Sequence, residues 1–152
     1  MNGVYSSLKD RNPSPSTARL LADLVPPREF ELASFDNYIP HSEFPSQAEA
    51  SKAAQSFALG KTAKRGLFSR GPVETDSLGI YLDGGFGVGK THLLAATYHQ
   101  FRGKKAFGSF IAFTSLIGAL GFAAAKEALA RYALICIDEF ELDDPGDTMI
   151  MS

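Results

Sequence analysis

The feature that most restricts the fold of this chain is a glycine-rich octapeptide at residues 84–91, Gly-Gly-Phe-Gly-Val-Gly-Lys-Thr. It matches the pattern G-x-x-x-x-G-K-[ST], with a short apolar run before it and helical periodicity after it. Glycines let the backbone curl until successive N–H groups point into one hollow, in conformations that side chains would block. A strand, a curled loop and a helix in this order predict a phosphate-binding loop (P-loop), and the alternative is a flexible glycine-rich turn.

The residue types of the octapeptide each have a predicted role. The start of the helix supplies unpaired N–H groups and the positive end of its dipole to phosphate oxygens. We predict that Lys90 reaches the β- and γ-phosphates of ATP and that the Thr91 hydroxyl binds Mg²⁺. The predicted nucleotide-binding residues are Gly84, Gly85, Phe86, Gly87, Val88, Gly89, Lys90, Thr91 and His92.

His92 is included only because it directly follows Thr91. No His or Cys partners stand at ligand spacing from it, so a metal site is not predicted there. Otherwise we interpret His41, His92 and His99 as ordinary residues.

A second pattern is the unbroken apolar run at 133–137, which ends in Asp138 and Glu139. Ligands of open α/β sheets bind at the carboxyl edge of the strands. We predict that Asp138 holds Mg²⁺ through its water shell, opposite Thr91, and that Glu139 orients or deprotonates the attacking water. Glu139 and Lys90 are thus the predicted catalytic residues, and Thr91 and Asp138 the predicted metal ligands. The alternative for either acid is an exposed carboxylate after a strand.

From residue 78 onward, short apolar runs alternate with helical patterns. We predict strands at 79–82, 107–113 and 133–137, with helices at 91–101 and 115–132. This alternation is typical of an α/β fold with a parallel sheet and flanking helices, here a P-loop NTPase. The two motifs then lie on non-consecutive strands, which favours a hydrolytic ATPase over a small kinase or GTPase. In the helix at 91–101 the predicted inward residues are Leu93, Leu94, Thr97, Tyr98 and Phe101.

The predicted domains are a disordered leader at 1–16, an N-terminal helical segment with a linker at 17–77, and an incomplete P-loop ATPase core at 78–152. The segment at 17–77 contains two predicted helices.

Thr17 is predicted to cap a short helix that Pro26-Pro27 ends, and Ser46 with Glu49 has the capping-box spacing of a second helix. The predicted apolar faces are Leu20, Leu21, Leu24 and Val25 in the first helix, and Ala50, Ala53, Ala54 and Phe57 in the second. Between the helices, the aromatic segment at 30–45 either packs onto the core or lies beside the nucleotide base.

Charged stretches give weaker signals. The linker at 61–77 contains Lys61, Lys64, Arg65 and Arg70, which form either a solvated loop or a binding patch. The acidic stretch at 140–147 is either a solvated turn or an extension of the magnesium side. The formal net charge of -2 gives no bulk attraction to nucleic acid or anionic lipid.

Two further features concern the compartment. The single cysteine, Cys136, stands in an apolar run, which predicts a buried and inert thiol in a reducing, cytoplasmic setting. Residues 106–125 carry no charge and are long enough for a membrane span. Because they contain three glycines and lie between two motifs that must share one sheet, we predict a buried strand and helix instead.

The sequence resembles the ZapE-type cell-division ATPases, a branch of the AAA+ proteins, over about residues 25–151. The resemblance rests on Ala33-Ser34-Phe35-Asp36-Asn37-Tyr38, on 81–94, and on Cys136-Ile137-Asp138-Glu139-Phe140 followed by Asp144, Asp147 and Met149. It implies an ATPase that acts on FtsZ polymers at the division ring and forms a homo-oligomer when full length. It also implies that residues 35–38 lie near the adenine, and it leaves peripheral membrane association open.

The sequence departs from that family at Pro145-Gly146, where many members continue a helix. AAA+ ATPases also carry a sensor residue, a lid and an arginine finger beyond this point, and such a finger is worth about three to five orders of magnitude in rate. We therefore expect this chain to be the front part of a longer protein and to hydrolyse ATP weakly alone. Two alternatives stay open, which are a DNA-linked AAA+ protein of the initiator or helicase-loader type and a nucleotide-dependent binding module without hydrolysis.

Overall fold

The computed structural model describes residues 16–60 and 79–140. Its two strands pair in parallel, from Lys105 opposite Leu134 to Ser109 opposite Asp138. This mixed α/β fold, a small parallel sheet flanked by helices, confirms the predicted fold class. The elements are α1 (Thr17–Ala22), a 3-10 turn (Arg28–Phe30), α2 (Pro45–Ala58), α3 (Lys90–Gln100), β1 (Lys105–Ser109), α4 (Phe110–Leu120), α5 (Phe122–Leu129) and β2 (Leu134–Asp138).

Several predictions fall outside the described residues. These concern the leader predicted at 1–16, except its last residue Ser16, the linker with its four basic residues, and the acidic stretch beyond Phe140. The predicted division into three domains likewise stays a prediction.

Each face of the sheet packs against different helices, because neighbouring strand residues point to opposite sides. Phe107 is 2% exposed and lies in a core cluster with Ala95 of α3. Its neighbour Ala106 is fully buried on the other side, in a cluster with Leu24 and Phe113. As a result, α3 covers one face and α1 with α4 the other. The five residues predicted to face inward on α3 are all buried or half-buried.

The predicted strand at 79–82 is wrong, because these residues form neither helix nor strand. Ile80 is 37% exposed and Tyr81 75% exposed. In the part of the chain that the structure describes, β2 pairs only with β1. An apolar run forms a strand only when a partner supplies ladder hydrogen bonds, and 79–82 has no such partner here.

The second predicted strand and helix have different bounds in the structure. The strand ends at Ser109, whose side chain accepts a hydrogen bond from Ala112 N at 3.2 Å and thereby caps α4. The single helix predicted at 115–132 is two helices, which Gly121 separates with a left-handed φ of 77°. The uniform apolar character of this stretch obscured both signals. By contrast, α3 and β2 each lie within one residue of the prediction.

The cap of α1 is Ser16 rather than the predicted Thr17. The Ser16 hydroxyl accepts a hydrogen bond from Arg19 N at 3.3 Å. The helix is also shorter than its apolar pattern, since it ends at Ala22. Leu24 is buried beyond it, whereas Val25 is 52% exposed.

The capping box predicted at Ser46 and Glu49 is not formed. The N-cap is Phe44, two residues before Ser46, so the helix begins at Pro45 and no side chain caps it. Proline suits this first position because its missing N–H would have no partner there. Of the predicted stripe, Ala54 is buried and Phe57 packs against the core, whereas Ala53 is exposed.

The uncharged stretch at 106–125 folds into most of β1, the whole of α4 and the start of α5. Over residues 16–60 and 79–140, no helix has both the length and the apolar character that a membrane crossing needs.

The Cys136 thiol is buried, as predicted, with 2% of the residue exposed. Burial raises its pKa to about 12, although the nearby Lys105 charge opposes this shift. Because only a thiolate is a good nucleophile, the thiol is inert at neutral pH.

Candidate functional site: the P-loop cleft

The P-loop turns into α3 at Gly89. This residue is the N-terminal cap of the helix and has a left-handed φ of 86°. A Cβ atom on Gly89 would also lie 2.6 Å from Cε2 of Tyr38, closer than real contacts allow. Both the backbone angle and the space therefore require glycine at this position.

Lys90 folds back over the loop that precedes it. Its ammonium donates hydrogen bonds to the carbonyl oxygens of Gly84 at 2.6 Å and Gly85 at 2.8 Å. The first N–H groups of α3 have no partners within the helix. A phosphate group fits this arrangement, because its oxygens can take the place of the two carbonyls at Lys90 and also accept from the helix N terminus.

A cleft of about 450 Å³ opens beside the loop. This volume falls in the range of small-molecule sites, about 300–1,000 Å³. Six of the predicted site residues line the cleft, namely Gly84, Gly85, Phe86, Lys90, Asp138 and Glu139. The other five predicted residues do not line it: Gly87, Val88, Gly89, Thr91 and His92. The remaining lining residues are Ile80, Tyr81, Leu82, Asp83, Leu94, Ile135, Ile137 and Phe140.

The acidic pair stands where β2 ends. Asp138 is the last strand residue and is paired in register with Ser109. Glu139 has a φ of 51°, which is uncommon for a residue other than glycine. This angle turns the chain sharply at the edge of the sheet, so that two consecutive carboxylates both line the cleft.

An aromatic contact anchors the chain directly after the acidic pair. The ring of Phe140 lies 5.1 Å from that of the buried Phe110, edge to face at 73°. Phe110 follows Ser109 at the end of β1, so the contact joins the ends of the two strands. Local sequence did not predict this contact, because Phe110 stands in an apolar run, Phe140 begins the acidic stretch, and no periodicity connects the two.

The oxygen ligands available suit Mg²⁺. Thr91 and Asp138 offer a hydroxyl and a carboxylate, whereas no group of three or more His, Cys, Asp or Glu side chains that could hold a metal occurs in the described ranges. Mg²⁺ is commonly bound by one or two protein groups, with water and phosphate oxygens completing its shell. Asp138 lines the cleft and fits a magnesium ion that arrives with a nucleotide, whereas Thr91 does not line it.

Tyr38 and His92 contact each other and bond to backbone carbonyls, Tyr38 to one in the P-loop and His92 to one in the segment before it. The Tyr38 hydroxyl donates a 2.8 Å hydrogen bond to the carbonyl oxygen of Val88. Burial raises the pKa of this phenol, so it stays a proton donor at neutral pH. His92 Nε2 lies 2.9 Å from the carbonyl oxygen of Ser34 and must carry the proton, since that oxygen only accepts. The rings of Tyr38 and His92 are 5.6 Å apart.

We expect Gly89→Ala to destabilise the protein by about 1–2 kcal/mol from the left-handed backbone alone, with a further loss from the clash with Tyr38. Urea unfolding followed by circular dichroism measures this change. Gly85→Ala is the matched control, because Gly85 has no left-handed φ and open space at its Cβ position. Equal stability of the two variants would show that Gly89 is not under this constraint.

Comparison with known proteins supports the same fold class. Residues 14–152 match the family model described as AFG1-like ATPase, a family of P-loop ATPases that includes ZapE. No curated protein and no solved structure matches the sequence. The family match covers nearly the whole chain, including the P-loop, β2 and the segment that contains Tyr38. The chain therefore belongs to the AFG1-like ATPase family.

Proposed function

We propose that this chain binds Mg·ATP in the P-loop cleft and hydrolyses it, as part of an AAA+ type ATPase. The observation that carries this proposal is the meeting of Lys90, Asp138 and Glu139 in one cleft. One cation stands at the N terminus of a helix, and two carboxylates stand at the carboxyl end of a parallel strand. Family membership supports the same activity.

Before binding, the Lys90 ammonium is hydrogen-bonded to carbonyl oxygens of its own loop. The triphosphate oxygens replace the carbonyl oxygens of Gly84 and Gly85 as partners of the Lys90 ammonium. In the new bonds both the donor and the acceptor are charged, whereas in the bonds they replace only the Lys90 ammonium is, so the contacts to phosphate are stronger. Free N–H groups at the start of α3 add further donors. Mg²⁺, held by Thr91 and Asp138, would supply charge neutralisation on the phosphates.

Hydrolysis requires a base beside the attacking water, which lies on the side of the γ-phosphate opposite the leaving ADP. Glu139 lines the cleft and has room to move, because it is exposed. Its carboxylate accepts a proton from the attacking water as the water oxygen bonds to the γ-phosphorus, while the bond to the β-phosphate oxygen breaks and ADP leaves. Lys90 stabilises the charge that develops on the phosphate oxygens.

The partner is proposed from resemblance. Residues 33–38 and 136–140 resemble the ZapE-type ATPases, which supports a homo-oligomer acting on FtsZ at the division ring, in the cytoplasm. The DNA-linked alternative finds no help in the net charge of -2. The non-hydrolysing binding module shares every binding residue and differs only in turnover.

We expect Lys90→Ala to weaken Mg·ATP binding about tenfold or more, because a charged hydrogen-bond donor to the phosphates is lost. Isothermal titration calorimetry measures the dissociation constant. Lys104→Ala is the control, since Lys104 stacks on Tyr132 and does not line the cleft. Unchanged binding by Lys90→Ala would rule out the P-loop as the ATP site.

Glu139→Gln separates hydrolysis from binding. It keeps the size of the side chain but removes the base, so we expect normal Mg·ATP affinity with phosphate release slowed about 100-fold or more. The control is Glu127→Gln, because Glu127 lies on the exposed side of α5 and forms an ion pair with Arg131 just beyond that helix. Turnover by Glu139→Gln equal to that of the unmutated chain would contradict the assigned role. Tight binding by the unmutated chain with no phosphate release at all, instead of the weak hydrolysis expected of it alone, would favour the binding module.

A further inference from the structure

Residues 30–38, which we term the brace segment, are tied to the P-loop and α3 by three side chains. The first bond joins the Tyr38 hydroxyl to Val88 O at 2.8 Å. Two histidines of α3 complete the set, His92 at 2.9 Å from Ser34 O and His99 at 3.0 Å from Phe30 O. Edge-to-face packing of Phe30 on His92 supports the same contact. The brace segment therefore lies along the start and the length of α3.

The brace segment is also fixed internally. Asn37 Oδ1 accepts from Ser34 N at 2.8 Å, and Asn37 Nδ2 donates to Leu32 O at 2.8 Å. Asn37 N in turn donates to the Ser34 hydroxyl at 3.3 Å. Since both ends of the Asn37 amide are engaged, this residue holds the turn that presents Tyr38 and is not available to read a base.

The bond from Tyr38 sets the direction of a peptide group in the P-loop. In a trans peptide the C=O and the following N–H point in opposite directions. When Val88 O is held toward Tyr38, the N–H of Gly89 must point away from Tyr38. Gly89 caps α3, so its N–H belongs to the set of donors at the helix N terminus that bind anions.

We propose that Tyr38 is a positioning residue for the phosphate site: its hydroxyl holds the Val88–Gly89 peptide so that the Gly89 N–H faces the phosphates, and its ring supports the loop at Gly89. This inference rests on the proposed binding of Mg·ATP. It assigns the brace segment to the phosphate end of the nucleotide, whereas the sequence resemblance placed residues 35–38 near the adenine.

The ring of Tyr38 supplies the second half of this role. Because a Cβ on Gly89 would lie 2.6 Å from Cε2, the ring already sits in van der Waals contact with the loop backbone. The hydroxyl orients one peptide, and the ring limits its movement toward the protein interior. A rigid donor set loses less entropy when it binds an anion.

Tyr38→Phe tests the role of the hydroxyl in the full 152-residue chain, because it keeps the ring. The probes are Mg·ATP and magnesium tripolyphosphate, which has no base. We expect the dissociation constants of both to rise by the same factor, about 3- to 10-fold, as for one lost hydrogen bond. Tyr98→Phe is the matched control in α3, because Tyr98 packs against Phe107 in the core, and it should leave both constants unchanged.

The outcomes separate this inference from the proposed function. Absence of Mg·ATP binding by the unmutated chain would reject the proposed function itself. If the unmutated chain binds both probes and Tyr38→Phe leaves both constants unchanged, the positioning role is wrong. A loss confined to Mg·ATP would assign the hydroxyl to the base, and a Tyr38→Phe chain that melts below the assay temperature would assign it to the fold. Either result would overturn the inference.

Discussion

The site depends on the backbone conformation where the P-loop becomes α3. There the chain must leave several N–H groups free and pointing in one direction, and only a glycine in a left-handed conformation allows this at position 89. The Lys90 ammonium donates two hydrogen bonds to loop carbonyls. The Tyr38 hydroxyl donates one to Val88 O. Anion binding follows from this arrangement, because the donors are in place before the anion arrives.

The small parallel sheet brings the second half of the site to the same place. Pairing of Ser109 with Asp138 fixes where the acidic strand ends. The Phe110–Phe140 contact then holds the turn in which Glu139 adopts its positive φ. An unfavourable backbone angle of this kind persists only when the surrounding structure supports it, and it commonly marks a functional position. Packing on both sides of the sheet thus supports the geometry of the two carboxylates.

Local patterns predicted the parts of the structure that local forces determine. Helix α3 and strand β2 appear as expected, since each has a continuous apolar pattern bounded by polar residues. The strand expected at 79–82 is absent because strand formation depends on a partner elsewhere in the chain. The cap at Ser109 and the break at Gly121 were missed because apolar residues on both sides hid two local signals.

The contacts behind the candidate site could not be predicted from local sequence. Tyr38 and Val88 are 50 residues apart in the chain, and no periodicity connects them. The sequence motifs did predict that Lys90, Asp138 and Glu139 lie close together, because lysine and carboxylates at these spacings serve one chemistry, but Thr91 does not line the cleft with them. The geometry adds the contact of the brace segment with the P-loop, whereas the sequence resemblance placed residues 35–38 near the adenine.

The central claim is that main-chain amides at residues 84–91 bind the phosphates. It is tested most directly by ¹H–¹⁵N correlation spectra of the labelled chain, titrated with Mg²⁺ and a non-hydrolysable ATP analogue. We expect the largest shifts at the amides of Gly89, Lys90 and Thr91, with smaller shifts at Asp138 and Glu139. Saturable shifts elsewhere, with the P-loop amides unchanged, would contradict the account.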